Sequence, residues 1–521
     1  MKIWIFSVLC LLSGAAAAQA VATAGSATAP VTHAAGAAAA PTGSTASAIV
    51  VQDQIALRAA PKDSAPQQAV LWQGDVLEVR GERQDYLQVY DHRRERSGYV
   101  RAAQLRRVSL QAEAAPELLA VVRFLRDTPG AEALGMAYVA SYLRAAPAAA
   151  IDSEAFAALG TFADRLARRA SSRHAKADDA VIAAHLEVAA SLGVVIRSFE
   201  REGRMQLCYD GEAWRRVLAL PADELLRARA VLALPADELL RARAALALTR
   251  PDCIAPDLSI AERYALDAWR VEVLARAPRD GLPEHWRNRL RLRSAGVQAS
   301  FAFQRARRGE DARETMALAL QELAGVNKLE LAEEDNSAYT DAAMRVGASR
   351  WAAEIAPPAA QGLRVTTRAG EQAGQTCVLL LDAKHDAAAP LAQRCTYALI
   401  WTASASANAA GTALALAVQP LDGWRELWLF QQDATGWRID VLPPGLDTPE
   451  LGYIEFAGWV PGKAQLLAAR EARAEGRFKR TFEVIDLATL AVEKQADNPA
   501  SLSVFYRSQD AAWKRQSVAL R

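Results

Sequence analysis

The stretch IVVQDQIALRAAPKDSAPQQAVLWQGDVLEVRGERQDYLQVYDHRRERSGYVRAAQLRRV, residues 49–108, decides how the chain begins to fold. Short apolar runs alternate with polar residues, the period of half-buried strands. Turn signals at Gln73-Gly74-Asp75, Arg80-Gly81 and Ser97-Gly98 cut those runs too often for helices. The spacing predicts a small barrel of short strands over residues 48–108.

On these residues the stretch resembles a bacterial SH3 (SH3b) domain. Leu57-Arg58-Ala59-Ala60-Pro61 looks like the opening strand and turn of that family, and Gly74 with Leu77 and Val79 like its second strand. Gly98-Tyr99-Val100 and Leu105 look like the closing strand and its exit. Where the family usually carries a Trp, this chain has Tyr86. The resemblance implies a module that presents aromatics beside a charged loop, suited to extended peptides or peptidoglycan stems. It makes Trp72, Tyr86, Tyr90 and Tyr99 candidate stacking surfaces. Arg93 and Arg94, in the loop His92-Arg93-Arg94-Glu95-Arg96, become candidate grips for carboxylates. The bland alternative puts half of these aromatics in the core and leaves the loop merely solvated.

N-terminal to this stretch, residues 21–47 are almost entirely Ala, Gly, Ser, Thr and Pro, which predicts a flexible linker. Lys2, the apolar run Ile3–Leu12 and Ala18-Gln19-Ala20 read as a signal peptide over residues 1–20, with the mature chain beginning near Val21. Bulky Leu9 before Cys10 argues against a lipid attachment site. No later stretch reaches ~18 uncharged apolar residues, so no transmembrane anchor is expected in the mature chain. A periplasmic or secreted location follows. Removal of the signal leaves Cys208, Cys253, Cys377 and Cys395, an even number that favours disulfides. The members of each local pair fall in one candidate domain, so Cys208–Cys253 and Cys377–Cys395 are the expected bridges. Four thiols on one metal would need two domains to meet, without any CxxC spacing to support it.

From about residue 112 to 355 the pattern is helical. Asp152 or Ser153 can cap a helix whose Phe156, Leu159, Phe162 and Leu166 recur at intervals of three and four. Ser259-Ile260-Ala261-Glu262 fits a capping box, and Leu266, Trp269 and Val273 give the helix after it one apolar stripe. Eight to ten helices in antiparallel pairs are expected. Within them VLALPADELLRARA occurs twice without a substitution, at residues 217–230 and 231–244. Each copy reads as a short helix, with Pro221 or Pro235 in its first turn and Asp223–Arg227 or Asp237–Arg241 able to pair. True solenoids repeat at longer periods and diverge, so two identical copies point to a recent in-frame duplication. Cys208 and Cys253 flank both copies, and a bridge between them would close a loop around the whole insertion.

Beyond Pro357-Pro358 the chain turns to strands. Tyr397–Pro444 and Tyr453–Gln495 each read as four strands. The second section resembles a β-propeller blade, on Trp459-Val460-Pro461-Gly462 and Asp486-Leu487-Ala488-Thr489-Leu490. About two and a half blades do not close a ring of four or more. The predicted fold class is multidomain α+β: a small SH3-like β-barrel, an α-helical middle domain over 112–355, and an antiparallel β-rich domain with propeller-like blades over 360–521.

Composition and motifs bound the chemistry. With 61 basic and 60 acidic residues the net charge is +1, against a dedicated nucleic-acid binder. None of the six histidines falls in HExxH or HxH. His185, beside Ile182, Leu186 and Ala189, reads as a satisfied boundary histidine, and His385 as part of a solvated hairpin tip. Gly347-Ala348-Ser349-Arg350-Trp351 lacks the closing Gly of a nucleophile elbow. Glu333-Glu334-Asp335-Asn336 with Asp341 lacks EF-hand spacing and reads as a solvated helix end. Arg287, Arg289, Arg291 and Arg293 would spread around a helix surface and serve solubility. No catalytic residue, metal ligand or cofactor is named. The sequence therefore reads as an exported, non-enzymatic envelope protein that binds a cell-wall peptide of peptidoglycan or another envelope protein. The alternatives are an envelope hydrolase acting on peptidoglycan and a structural subunit of an envelope assembly.

Overall fold

Alternation of side chains sets the first sheet. In a computed structural model, residues 46–172, 176–201, 203–220, 236–355, 362–445, 451–474, 477–511 and 513–515 are described. The signal-peptide reading, the linker reading up to residue 45, most of the first repeat copy and both repeat prolines lie outside them, while residues 46 and 47 of the expected linker are strand. Seven strands come first: β1 (Ala46–Val50), β2 (Ile55–Arg58), β3 (Gln67–Leu71), β4 (Val76–Arg83), β5 (Tyr86–Asp91), β6 (Arg96–Arg101) and β7 (Leu105–Val108). They form one antiparallel sheet in the order β3-β2-β6-β5-β4-β1-β7. Leu57, Leu77, Leu87, Val89 and Val100 point to one side and are buried together. No ladder among the described residues joins β3 to β7. β1 begins at Ala46, ahead of the expected start, and lies between β4 and β7.

Between residues 115 and 349 ten α-helices follow among the described residues, and a short eleventh, Ser503–Ser508, comes after the last strand. The ten are α1 (Ala115–Arg126), α2 (Glu132–Ala145), α3 (Ser153–Ser171), α4 (Lys176–Ser191), α5 (Glu212–Ala219), α6 (Ala236–Leu248), α7 (Ile260–Ala275), α8 (Glu284–Arg307), α9 (Arg313–Ala324) and α10 (Asn336–Ser349). The Asp152 side chain accepts the Glu154 amide at 2.9 Å and starts α3. Ser259 and Glu262 form the full capping box of α7. Phe162 and Leu166 of α3 are wholly buried, each stabilising by roughly 1.5–3 kcal/mol on burial. Ile49 and Val108 of the sheet join the same core, so the change of pattern near residue 110 is not a gap in packing. In α6, the described part of the second copy, Asp237 accepts from Ser153 at 2.7 Å, while Arg241 donates to the Leu220 carbonyl at 2.9 Å. The expected Asp237–Arg241 pair gives way to contacts between segments.

One element was not expected here: the hairpin β8 (Ile196–Arg201) and β9 (Arg204–Tyr209). It carries Cys208, whose disulfide to Cys253 spans 5.7 Å between Cα atoms and a sequence separation of 45. Cys377–Cys395 is the second disulfide.

The C-terminal strands make two sheets. β10 (Arg364–Ala369), β11 (Thr376–Leu381) and β12 (Ala392–Thr396) form a three-stranded sheet in which Cys377 faces Cys395 across the ladder. The larger sheet has eight strands: β13 (Leu399–Ala407), β14 (Ala413–Leu421), β15 (Trp424–Asp433), β16 (Gly436–Leu442), β17 (Gly452–Trp459), β18 (Gln465–Ala474), β19 (Arg477–Asp486) and β20 (Val492–Ala496). β13–β16 and β17–β20 are each a four-stranded antiparallel meander, as the sequence suggested. They meet through a short parallel contact, Trp424 and Arg425 against Gly452 and Tyr453. β14 shows why both faces are buried. Its Leu414, Leu416 and Val418 pack toward β11, while the small Ala417 on the other face packs with Leu292, Ala299 and Met316 of α8 and α9. No described helix is long and apolar enough to cross a membrane.

Candidate functional site

Period-two alternation decides which of the predicted side chains reach solvent. Leu87 and Val89 of β5 and Val100 of β6 face the core, so Tyr86, Tyr90 and Tyr99 take the opposite face. Tyr90 pairs with Ser97, and Tyr99 lies two residues on, diagonal to it on the same surface. Both tyrosines are half-buried. The Arg80 guanidinium sits 4.0 Å over the Tyr90 ring, and His92 meets that ring edge-on at 4.8 Å. Glu78 anchors both partners, to Arg80 at 3.1 Å and to His92 at 2.7 Å.

Tyr86 is different. It is buried, and its hydroxyl donates to Asp63 at 2.5 Å while Arg101 covers the ring at 5.4 Å. Trp72 stands apart from the tyrosines in the β3–β4 turn, where its amide donates to Asp75 at 2.9 Å.

Arg93 and Arg94 are not presented as grips. Arg94 pairs with Asp91 at 2.6 Å and Asp75 at 3.1 Å; Arg93 pairs with Asp75 at 3.2 Å and Glu187 of α4 at 3.7 Å. Burial pushes the Asp75 carboxyl up, and the Trp72 amide and the two arginines only partly offset it. The loop that looked like a carboxylate trap is thus spent on internal acids and on joining the sheet to the helices. His185 belongs to the same seam. It is buried, with Nε2 2.8 Å from Asp53 and Nδ1 2.7 Å from Arg169, which in turn holds Glu132 at 2.7 Å. Burial alone would raise Asp53, but its bonds to His185 and the Gln73 amide leave it lowered. It is a satisfied histidine, as read.

The near-elbow around Ser349 is a second seam. Ser349 is fully buried and accepts from the Gln419 amide at 3.1 Å, and Gln419 in turn accepts from the Trp401 indole at 3.0 Å. Next to it, Arg350 donates to Glu455 through two bonds of 2.9 and 2.8 Å. Arg425, wholly buried, donates to the same carboxylate and, at 2.7 Å, to the Gly347 carbonyl. Burial would raise the Glu455 carboxyl, but the two guanidinium groups hold it below the usual carboxylate range. Gly347 lets α10 approach: a Cβ there would lie 2.4 Å from the Tyr453 ring. This buried triad fixes the helices to the large sheet.

Two acidic and basic runs differ from their sequence readings. Asp335 is buried, not solvated, and receives Arg289 Nε at 2.8 Å, with Glu334 at 3.0 Å from the same side chain. Of the four arginines on α8, Arg287 and Arg291 reach Glu284, whereas Arg289 and Arg293 line a pocket between the helices. His385, paired with Asp382 at 2.8 Å, does sit in the β11–β12 connection. Among the described residues no three His, Cys, Asp or Glu side chains gather where they could hold a metal ion. No protein-family model matches the chain, and no curated protein or solved structure matches it either.

Proposed function

We propose that this protein works outside the cytoplasm as a binding protein of the cell envelope, without catalysing a reaction. In this reading its N-terminal sheet is an SH3b-like module, and Tyr90 and Tyr99 on its outward face take an extended peptide of peptidoglycan or of another envelope protein. The observation that carries the reading is the diagonal tyrosine pair, half-exposed on β5 and β6 while the core side chains take the other face. Tyrosines pack an apolar ring against a ligand while their hydroxyls stay wet. Arg80, already stacked on Tyr90, edges the same surface. The disulfides support an oxidising compartment, where such bridges persist. The two four-stranded meanders serve as a scaffold for the helices.

The test is co-sedimentation of the full chain with purified sacculi. Replacing both tyrosines, Y90S/Y99S, is expected to lower the bound fraction at least tenfold. Replacing Arg94 by Gln should leave binding within twofold once the folded fraction is matched, because that side chain is engaged internally. Equal sedimentation of the parent chain and Y90S/Y99S would refute the reading, and release of soluble muropeptides would point to hydrolysis instead.

A further inference from the structure

Helices α7 and α8 turn arginines toward the interior. They border, with α6 and α10, a solvent-open pocket of about 300 Å³. That is about ten waters' share of liquid volume, at the lower edge of pockets for small organic ligands. Pro251, Ile254, Arg263 and Arg345 also border an adjoining hollow of about 230 Å³. Leu246, Leu292 and Val297 supply apolar wall, and Ser300 and Ser337 contribute hydroxyls.

Five arginines line the main cavity, and most are matched. Arg263 is held by Asp267 and Asp422, each at 2.8 Å. Arg270 is held by Asp267 at 2.9 Å and by the Thr249 carbonyl at 2.6 Å. Arg289 is held by Asp335 and Glu334. Arg293 is the exception. One of its nitrogens donates to the Leu246 carbonyl at 2.7 Å and the Thr249 hydroxyl at 3.3 Å, and it makes no ion pair among the described residues. The surface it retains is cavity wall. Among the described residues Arg345 makes an ion pair with Asp422, at 3.5 Å.

A cation deep in a protein without a carboxylate is destabilising unless something supplies the negative charge. Burial, with Arg270 nearby, pushes the Arg293 guanidinium down to about 9, and Asp252 offsets this only in part. On the same wall Asp341 is paired with Arg473 at 3.5 Å. The planar guanidinium fork matches a carboxylate. The alkyl wall suits a hydrocarbon body, which inorganic phosphate lacks.

We propose that this cavity binds a small organic carboxylate with an aliphatic body, its carboxylate on Arg293 and Arg345 and its hydrocarbon against Leu246, Leu292 and Val297. The site is separate from the tyrosine face and stands without it. Calorimetric titration of isovalerate into the full chain, at constant ionic strength in chloride, is expected to show saturable binding at one site. Inorganic phosphate should bind at least tenfold more weakly. R293Q should weaken isovalerate at least tenfold while melting no lower than the parent without ligand, since it removes an unpaired charge. R345Q should weaken binding at least threefold, and carries the test if R293Q does not fold. R287Q, which alters a pair outside the cavity, should leave affinity unchanged. Absence of saturable isovalerate binding to the folded parent, undiminished binding by R293Q or R345Q, or tighter binding of phosphate would overturn the proposal.

Discussion

Replacing Glu455 by Gln should cost about 3–5 kcal/mol of stability, the range for removing one partner of a buried ion pair. The magnitude follows from what the carboxylate holds. Glu455 is 4% exposed, Arg350 6% and Arg425 0%, so neither guanidinium can turn to water once the charge is gone. Gln would keep one acceptor but set an amide N–H against guanidinium donors. Urea unfolding read by tryptophan fluorescence is the assay, because Trp401, Trp424 and Trp428 are buried in the sheet that the triad anchors. The pH dependence gives an internal check. The folded carboxyl lies below its ordinary value. Its contribution is therefore complete above the unfolded pKa of about 4.3 and is lost as pH falls through the lower folded value. The stability gap between parent and E455Q should hold from about pH 7 to 5 and shrink below about 4. A gap under about 1 kcal/mol at neutral pH, or one that does not shrink in acid, would refute the reasoning.

Further outcomes follow from the loop and the close approaches. The disulfide Cys208–Cys253 closes a separation of 45 residues, so C208S/C253S should lose about 4 kcal/mol on the chain-entropy account. Deleting one copy of the repeat, residues 217–230, shortens that loop to about 31 residues and changes closure by only about 0.3 kcal/mol. Denaturation midpoints of both variants check this; severe destabilisation by the deletion would contradict an absorbed duplication. Gly74 has φ +90 and a Cβ there would lie 2.6 Å from the Ala133 carbonyl oxygen. G74A should therefore cost at least about 1–3 kcal/mol, loosening sheet from helices in a thermal melt.

Local signals made part of the fold legible. Asp152, the Ser259–Glu262 box, both four-stranded meanders and both cysteine pairings depend on neighbours in sequence or on simple parity, and each stands where it was read. The hairpin β8–β9 was missed because charged IRSFER lacks an apolar alternation, and the alternation Met205, Leu207, Tyr209 in RMQLCY is too short to stand out from helical neighbours. Pairing between side chains hid the rest. On α7 the spacing pointed to Leu266, Trp269 and Val273, yet Asp267 and Arg270 are among the most buried side chains of that helix. Asp267 pairs with Arg263 and Arg270 on its own helix, and these run on to partners outside it: Arg263 meets Asp422, 159 residues away, and Arg270 the Thr249 carbonyl. Arg93 and Arg94 turn to Asp75 and Asp91 of their own sheet, a packing of turn on turn that strand alternation does not reveal, and Arg93 also reaches Glu187 on a helix outside it. Arg289 and Arg293 are four apart on α8, with Gly296 and Ser300 continuing the same cavity-lining stripe. That spacing was a usable sign of one inward face.

The central claim is that this chain is a wall-facing protein of an oxidising compartment. Thiol alkylation during lysis, followed by mass measurement of the chain recovered from each cell fraction, tests it most directly. The account predicts an extracytoplasmic polypeptide starting near Val21, with Cys208, Cys253, Cys377 and Cys395 all protected as two bridges. Recovery of a full-length cytosolic chain with alkylated cysteines would contradict it.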